Sequence, residues 1–313
     1  MNAAVLHDPA GIPRSESFPD PEPQGDEVLA RVLAAGLHQL VRMHASGSHY
    51  TSHRRYPMVP GIDGVAELPD GRRAYVSWLR PPHGTFAERA AVALDRAITL
   101  PAGLAPEIAA AIVNPASSSW LALRLRAPMA AGERVLVLGA TGASGRLAVQ
   151  IARALGAGRV VAAGRNPEVL GRLAADHTLR VDAPDFADQL GRELADHGVD
   201  IVLDYLWGPP AETTLTALLA ARSQLAGRVR YVNIGQSAGG DIRLSPHVLR
   251  SMKLELLGSG FGSVTPSEIA SEVPQLLERA DRLTIDVDAV PLARVDQAWR
   301  TPPSGGRRIV IVP

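Results

Sequence analysis

Apolar positions along the chain follow two rhythms. From residue 1 to about 110 they come in short runs cut by Pro and Gly, with little helical periodicity. Ala3-Ala4-Val5-Leu6 and Glu27 to Val32 read as strands, separated by a Pro-rich loop from Pro9 to Gly25. A polar, His- and Tyr-rich loop is expected from His44 to Tyr56. Asp70-Gly71 forms a tight turn, Ala74 to Ser77 resumes a strand, and another begins at Gly84. This pattern predicts a compact, mostly β domain. Near Pro106 the rhythm turns helical, first over Ile108 to Val113 and then over Trp120 to Leu125.

Beyond that point strands and helices alternate. Val135 to Leu138 is a short apolar run suited to a strand buried on both faces. Gly139, Gly142 and Gly145 follow, and Leu147, Ala148, Ile151 and Leu155 then recur at helical spacing until Gly156. Strands are expected at Val160 to Ala163, Val199 to Leu203 and Tyr231 to Gly235. Helices are expected after Asn166-Pro167, along Phe186, Leu190 and Leu194, and along Leu215, Leu218 and Leu219. The fold class is therefore α/β: a Rossmann-type doubly wound parallel sheet beside a mostly β domain. A helix near Glu268–Ala280 and a strand from Arg308 to Val312 end the sequence. The expected division is 1–112, 113–260, and a segment 261–313 that returns to complete the first domain.

Strand, glycine turn and helix in this order predict a dinucleotide pyrophosphate site. The fingerprint runs Ala140-Thr141-Gly142-Ala143-Ser144-Gly145, with Ala140 at its first glycine position and Gly139 just before. Its second glycine lets the phosphates approach backbone, its third lets helix pack on strand, and the helix start offers free N–H groups and partial positive charge. The second strand ends Gly164-Arg165-Asn166, with no acid at its tip to hold a ribose 2′-hydroxyl. A guanidinium there suits a 2′-phosphate, so NADPH is the expected cofactor.

Composition narrows the chemistry. Basic and acidic residues balance at 32 each, so no global field draws the chain to nucleic acid or an anionic membrane. No apolar run reaches membrane length, and no basic segment followed by an apolar core opens the chain; a soluble cytoplasmic protein is expected. No cysteine is present, which rules out disulfides and thiolate metal sites. An all-His site from His44, His49 and His53 is far less expected than a solvated loop, so no metal is assigned. The sole lysine, Lys253, has Leu249 four residues before it, so the Tyr/Lys pair of short-chain dehydrogenases is not formed.

With these residues in place, the chain resembles the zinc-free medium-chain dehydrogenase/reductase superfamily, in its quinone-oxidoreductase-like branch. The resemblance rests on the order of several motifs: Pro60-Gly61-Ile62-Asp63, Gly84-Thr85-Phe86-Ala87-Glu88, Asn114-Pro115 with Ser118-Ser119-Trp120, the glycine turn, Gly198 to Asp204, and Gly305 to Val310. It implies a GroES-like N-terminal domain, a Rossmann domain, an active site in the cleft between them, and a homodimer. It also implies that Asn114 and Ser118 face the nicotinamide end. Gly235 and Gly258 end strands there and would let the ring approach backbone. Tyr50 falls where this branch has a substrate-pocket tyrosine, and His38 where it has a polar residue; the two are the candidate catalytic groups. The chain departs from the family's pattern around His38 and Leu40, where Asn and Asp are usual, and at Ala66, where glycine is common. The activity implied is metal-free, NADPH-dependent reduction of a small-molecule quinone or α,β-unsaturated carbonyl. The alternative is a cofactor-binding regulatory protein of the same fold with little or no turnover, for which the missing acid–base pair is the motive. An apolar strand at Leu254 to Leu257 is the expected dimer edge.

Overall fold

The computed structural model describes residues 1–49, 51–225, 227–260, 262–302 and 306–313. The chain divides into two compact units, Met1–Asn114 with Val273–Pro313, and Pro115–Glu272. The described strands are β1 (Asn2–Val5), β2 (Arg14–Ser17), β3 (Glu27–Leu37), β4 (Asp63–Glu67), β5 (Arg73–Ser77), β6 (Arg89–Ala93), β7 (Ile98–Thr99), β8 (Arg134–Leu138), β9 (Arg159–Gly164), β10 (His177–Arg180), β11 (Ile201–Asp204), β12 (Val229–Asn233), β13 (Leu254–Gly258), β14 (Val287–Pro291) and β15 (Arg308–Val312). The α-helices are α1 (Gln39–Ala45), α2 (Pro106–Leu121), α3 (Ala143–Ala154), α4 (Pro167–Leu170), α5 (Phe186–His197), α6 (Gly208–Ala220), α7 (Pro246–Arg250), α8 (Pro266–Leu277) and α9 (Val295–Arg300).

The unit 115–272 is built on a six-stranded parallel sheet in the order β10-β9-β8-β11-β12-β13. Its first strand, β8, lies in the middle; the chain winds outward through β9 and β10, then crosses back to β11. That reversal between β8 and β11 is the topological switch point, the place where an open α/β sheet parts its loops and leaves a crevice. Burial explains the placement. Val135 to Leu138 are covered on both faces, and α3 turns Leu147, Ala148 and Ile151 inward. Phe186, Leu190 and Leu194 of α5 and Leu215 and Leu218 of α6 join the same core as Leu136, Leu138 and Val202. The doubly wound α/β fold expected of the sequence is the fold observed.

The other unit is mostly β. Its main sheet runs β14-β15-β3-β4-β5-β7, and β6 also pairs with β3. The long strand β3 serves three partners: β6 along Glu27 to Arg31, β4 along Arg31 to Ala35, and β15 along Ala35 to Leu37. A register shift between Val32 and Ala34 bends it between those tasks. β15 pairs antiparallel with β3, so the end of the chain completes the sheet begun near its start.

Several local expectations change. The stretch expected as loop from His44 is entered by helix α1, whose Val41 and Ala45 are buried four residues apart. The Pro-rich loop contains the short strand β2, paired with β1. The two helical stretches before and after Asn114 are continuous: α2, with Pro115 inside it, runs to Leu121 and a π-helical turn follows over Ala122–Arg126. An interior proline costs about 3 kcal/mol. Burial of Ala109 to Val113, Ala116 and Trp120 offsets that cost here.

Candidate active site

In the parallel sheet, the chain leaves β8 through Gly139, whose φ of +88° only glycine takes without strain. The N–H groups of Gly139 and Ala140 both donate to Ala163 O at 2.9 Å, which ties the turn to the end of β9. Ala140, at the fingerprint's first glycine position, is fully buried, and the left-handed turn falls one residue earlier. Gly145 packs α3 onto this turn: a Cβ there would stand 2.2 Å from Gly139 O. Gly142, the helix N-cap, is exposed, and a Cβ on it would meet nothing closer than Gly139 O at 3.5 Å. The first bond back into the helix is Arg146 N–H to Gly142 O. The N–H groups of Ala143, Ser144 and Gly145 therefore have no intrahelical acceptor, as at any helix start. Thr141 leans across to β9, where a Cβ on Gly164 would be 2.5 Å from its Cγ2.

Arg165 follows Gly164 at the tip of β9. It is exposed and makes no hydrogen bond or ion pair among the described residues; its charge helps hold the Asp182 carboxyl low, after the larger effect of Arg180. Asn166 caps α4, its Oδ1 accepting from the N–H of Glu168 at 3.0 Å and of Val169 at 3.2 Å. That bond commits its carbonyl oxygen to the fold and leaves only its amide NH₂ for a ligand.

Across the switch point, β11 ends at Asp204, which is fully buried. Its carboxylate accepts from Leu206 N–H at 2.8 Å, Trp207 N–H at 3.0 Å and Tyr231 Oη at 2.8 Å. Burial raises the Asp204 pKa against those donors. The loop so held carries Trp207 at φ +54°, a strained value for a bulky residue. Tyr205 lies between, its hydroxyl 3.0 Å from Ser118 Oγ on α2. Burial pushes its pKa up to about 12. Gly235 packs so closely on this loop that a Cβ would be 2.8 Å from Tyr205 O. Gly258 ends β13 in the register of Asn233, with its carbonyl accepting from Arg126 Nε at 2.9 Å. Thr141 to Gly145, Gly164 to Asn166, Ser118, Gly235 and Gly258 thus gather along one edge of this sheet, and Asn114 lies one turn before Ser118 on α2. Sequence reasoning missed Tyr205; its place directly after the strand-ending Asp204 was the available signal.

In the mostly β unit, His38 is buried, with Nε2 2.7 Å from Asp63 Oδ1. Asp63 Oδ2 accepts from Tyr75 Oη at 2.7 Å. The carboxylate makes Nε2 the protonated ring nitrogen by assignment, and Nδ1 has no partner among the described residues. Burial and then the Asp63 charge raise the Tyr75 pKa well above its usual value. Burial draws the Arg308 guanidinium down to about 10 against the pull of Asp63, so it remains charged at neutral pH. Tyr50 lies outside the described residues. Nearby, a recess of about 180 Å³ is lined by His44, His53, His83, Trp78 and apolar groups including Val41 and Met58. His44 stands edge to face with both His53 and Trp78. Burial lowers the pKa of His44 and His53. Trp78 is a second bulky residue with a left-handed backbone, at φ +55°. Among the described residues no three His, Asp or Glu side chains are grouped as metal ligands.

A family model described as zinc-binding dehydrogenase matches residues 143–282. The chain is 30% identical to the probable NADPH-dependent quinone reductase tdiC of Emericella nidulans, over 95% of each. It is also 30% identical, over 84% of its length, to a mycocerosic acid synthase-like polyketide synthase of Mycobacterium tuberculosis, of which it spans 12%. Among solved structures, the quinone oxidoreductase of Thermus thermophilus, known also in its complex with NADPH, matches with a TM-score of 0.82 at 32% identity, covering 100% of both chains.

Proposed function

The chain belongs to the medium-chain dehydrogenase/reductase superfamily, in its quinone-oxidoreductase-like branch, and on that premise we propose that it is a metal-independent, NADPH-dependent reductase of quinones or α,β-unsaturated carbonyls. One observation carries this reading: an open glycine at the start of α3, with an exposed arginine, unpaired among the described residues, at the tip of the neighbouring strand. Gly142 leaves room for a pyrophosphate over the N–H groups of Ala143 to Gly145, and α3 carries no acid in its first turn to repel it. Thr141 and Gly164 shape the wall between them. Arg165 binds the 2′-phosphate, with the Asn166 amide beside it. Asn114, Ser118, Gly235 and Gly258 receive the nicotinamide end. The relatives' recorded use of NADPH supports the same assignment.

When bound, NADPH supplies the hydride; the chain's residues orient, exclude water and stabilise the developing oxyanion. The acceptor's flat ring enters the recess beside Trp78, where neutral imidazoles of His44 and His53 offer hydrogen bonds without a net charge. His38, held through Nε2 by Asp63, is one proposed proton donor or hydrogen-bonding group, its Nδ1 buried and without a partner among the described residues. Tyr50 is the second proposed donor. We also propose a homodimer paired through the sheet-edge strand β13, where Leu256 is exposed; light scattering should report twice the chain mass.

The test is NADPH oxidation against a panel of quinones and enones, with and without a chelator. Steady turnover unaffected by the chelator supports the proposal. NADPH binding without turnover on any acceptor would instead favour the regulatory reading.

A further inference from the structure

We infer that Tyr205 is a positioning residue that sets Ser118 to recognise the primary carboxamide of the nicotinamide. The inference rests on the NADPH reading above and adds a residue and a ligand group to it. Ser118 Oγ is 2.6 Å from Pro115 O and 3.0 Å from Tyr205 Oη. Pro115 O can only accept, so the serine proton is committed to it. The second contact is then a bond donated by Tyr205, whose proton is retained because burial holds its pKa at about 12. With both protons spent, what the two hydroxyls still offer is lone pairs. Such a pair suits an N–H donor, and the carboxamide NH₂ is the N–H donor of the nicotinamide ring.

Tyr205 is held for this role from two sides. A Cβ on Gly139 would lie 3.1 Å from Tyr205 Cβ and 3.1 Å from Leu206 Cδ2, so this loop covers the turn leaving β8 at the switch point. Asp204 clamps the next two N–H groups, and Tyr205 O accepts from Ser237 N–H and Oγ at 3.3 and 2.9 Å. The strained φ of Trp207 belongs to the same loop, and backbone strain persists where its surroundings over-determine it.

The experiment is calorimetric binding of three probes to the purified full chain: NADP⁺, its 3-acetylpyridine analogue, which replaces the amide by a methyl ketone, and 2′,5′-ADP, which lacks the nicotinamide half. Wild type should prefer NADP⁺ over the acetylpyridine analogue by about three- to tenfold, the worth of one net hydrogen bond. Tyr205→Phe keeps the ring that packs on the turn and should erase that preference while leaving 2′,5′-ADP affinity unchanged. Ser118→Ala should do the same, and the double variant should lose no more than either alone. An unchanged preference in Tyr205→Phe overturns the inference, as does an equal loss for all three probes, which would mark Tyr205 as structural. Wild type that binds neither dinucleotide nor 2′,5′-ADP would refute the NADPH reading itself.

Discussion

Gly142→Ala separates what the fold requires of the glycine turn from what its ligand requires. At φ −76° and ψ 164° the residue occupies backbone space open to any L-amino acid. The added methyl meets only Gly139 O, at an ordinary 3.5 Å. The fold therefore loses little: an N-cap glycine replaced by alanine costs about 1 kcal/mol at most, and the melting midpoint should fall by no more than a few degrees. The methyl does fill the space in which a phosphate would approach the helix start. Losing one charge-assisted backbone hydrogen bond, worth about 1.5–3 kcal/mol, should weaken NADPH about ten- to a hundredfold. Gly145→Ala provides the contrast. Its Cβ would stand 2.2 Å from Gly139 O and 2.7 Å from Ala140 Cα, both fixed backbone atoms. Overpacking of this kind costs about 1–3 kcal/mol or more, so stability and binding should fall together. The assay is thermal unfolding alongside NADPH fluorescence titration of both variants. If Gly142→Ala binds NADPH as wild type does, the pyrophosphate does not lie over this helix start. If it unfolds as readily as Gly145→Ala, its glycine serves the fold.

Arg165→Ala should weaken NADPH about ten- to a hundredfold and leave NADH nearly unchanged, with little change of melting midpoint, since Arg165 makes no hydrogen bond or ion pair among the described residues; equal losses for both cofactors would reject the 2′-phosphate role. Asp204→Ala leaves the buried Tyr231 hydroxyl and two loop N–H groups without their acceptor, and chemical denaturation should show about 3–5 kcal/mol lost, with Asp204→Asn recovering much of it. His44 and His53 have folded-state pKa values lowered by burial. Unfolding thus takes up protons once pH drops below about 6.5. Their contribution is present above that value and is lost as pH falls toward the folded pKa, so the melting midpoint should decline from pH 7.5 to 5.5, and less steeply in His44→Gln.

The buried strands, the glycine turn and the helix faces of the parallel sheet were legible in the residues. A strand covered on both faces must be apolar throughout, a tight turn needs glycine, and an amphipathic helix repeats its apolar side; each is a local demand that local sequence must meet. Arg165 at the tip of β9 was legible for the same reason, because strand ending and helix cap are adjacent in the chain. Helix α1 was not legible, since seven residues with two buried positions, Val41 and Ala45, make too short a period to read against the polar loop that follows. Nor was the continuity of α2 through Pro115, where a local prohibition yields to burial supplied by distant residues. The network of His38, Asp63, Tyr75 and Arg308 and the meeting of Ser118 with Tyr205 lay further beyond reach. Sequence separations of 25 between His38 and Asp63 and 87 between Ser118 and Tyr205 are closed only by strand order and register. Which proton is spent on which oxygen depends on those closures, so the chemistry of both sites was decided by the tertiary structure.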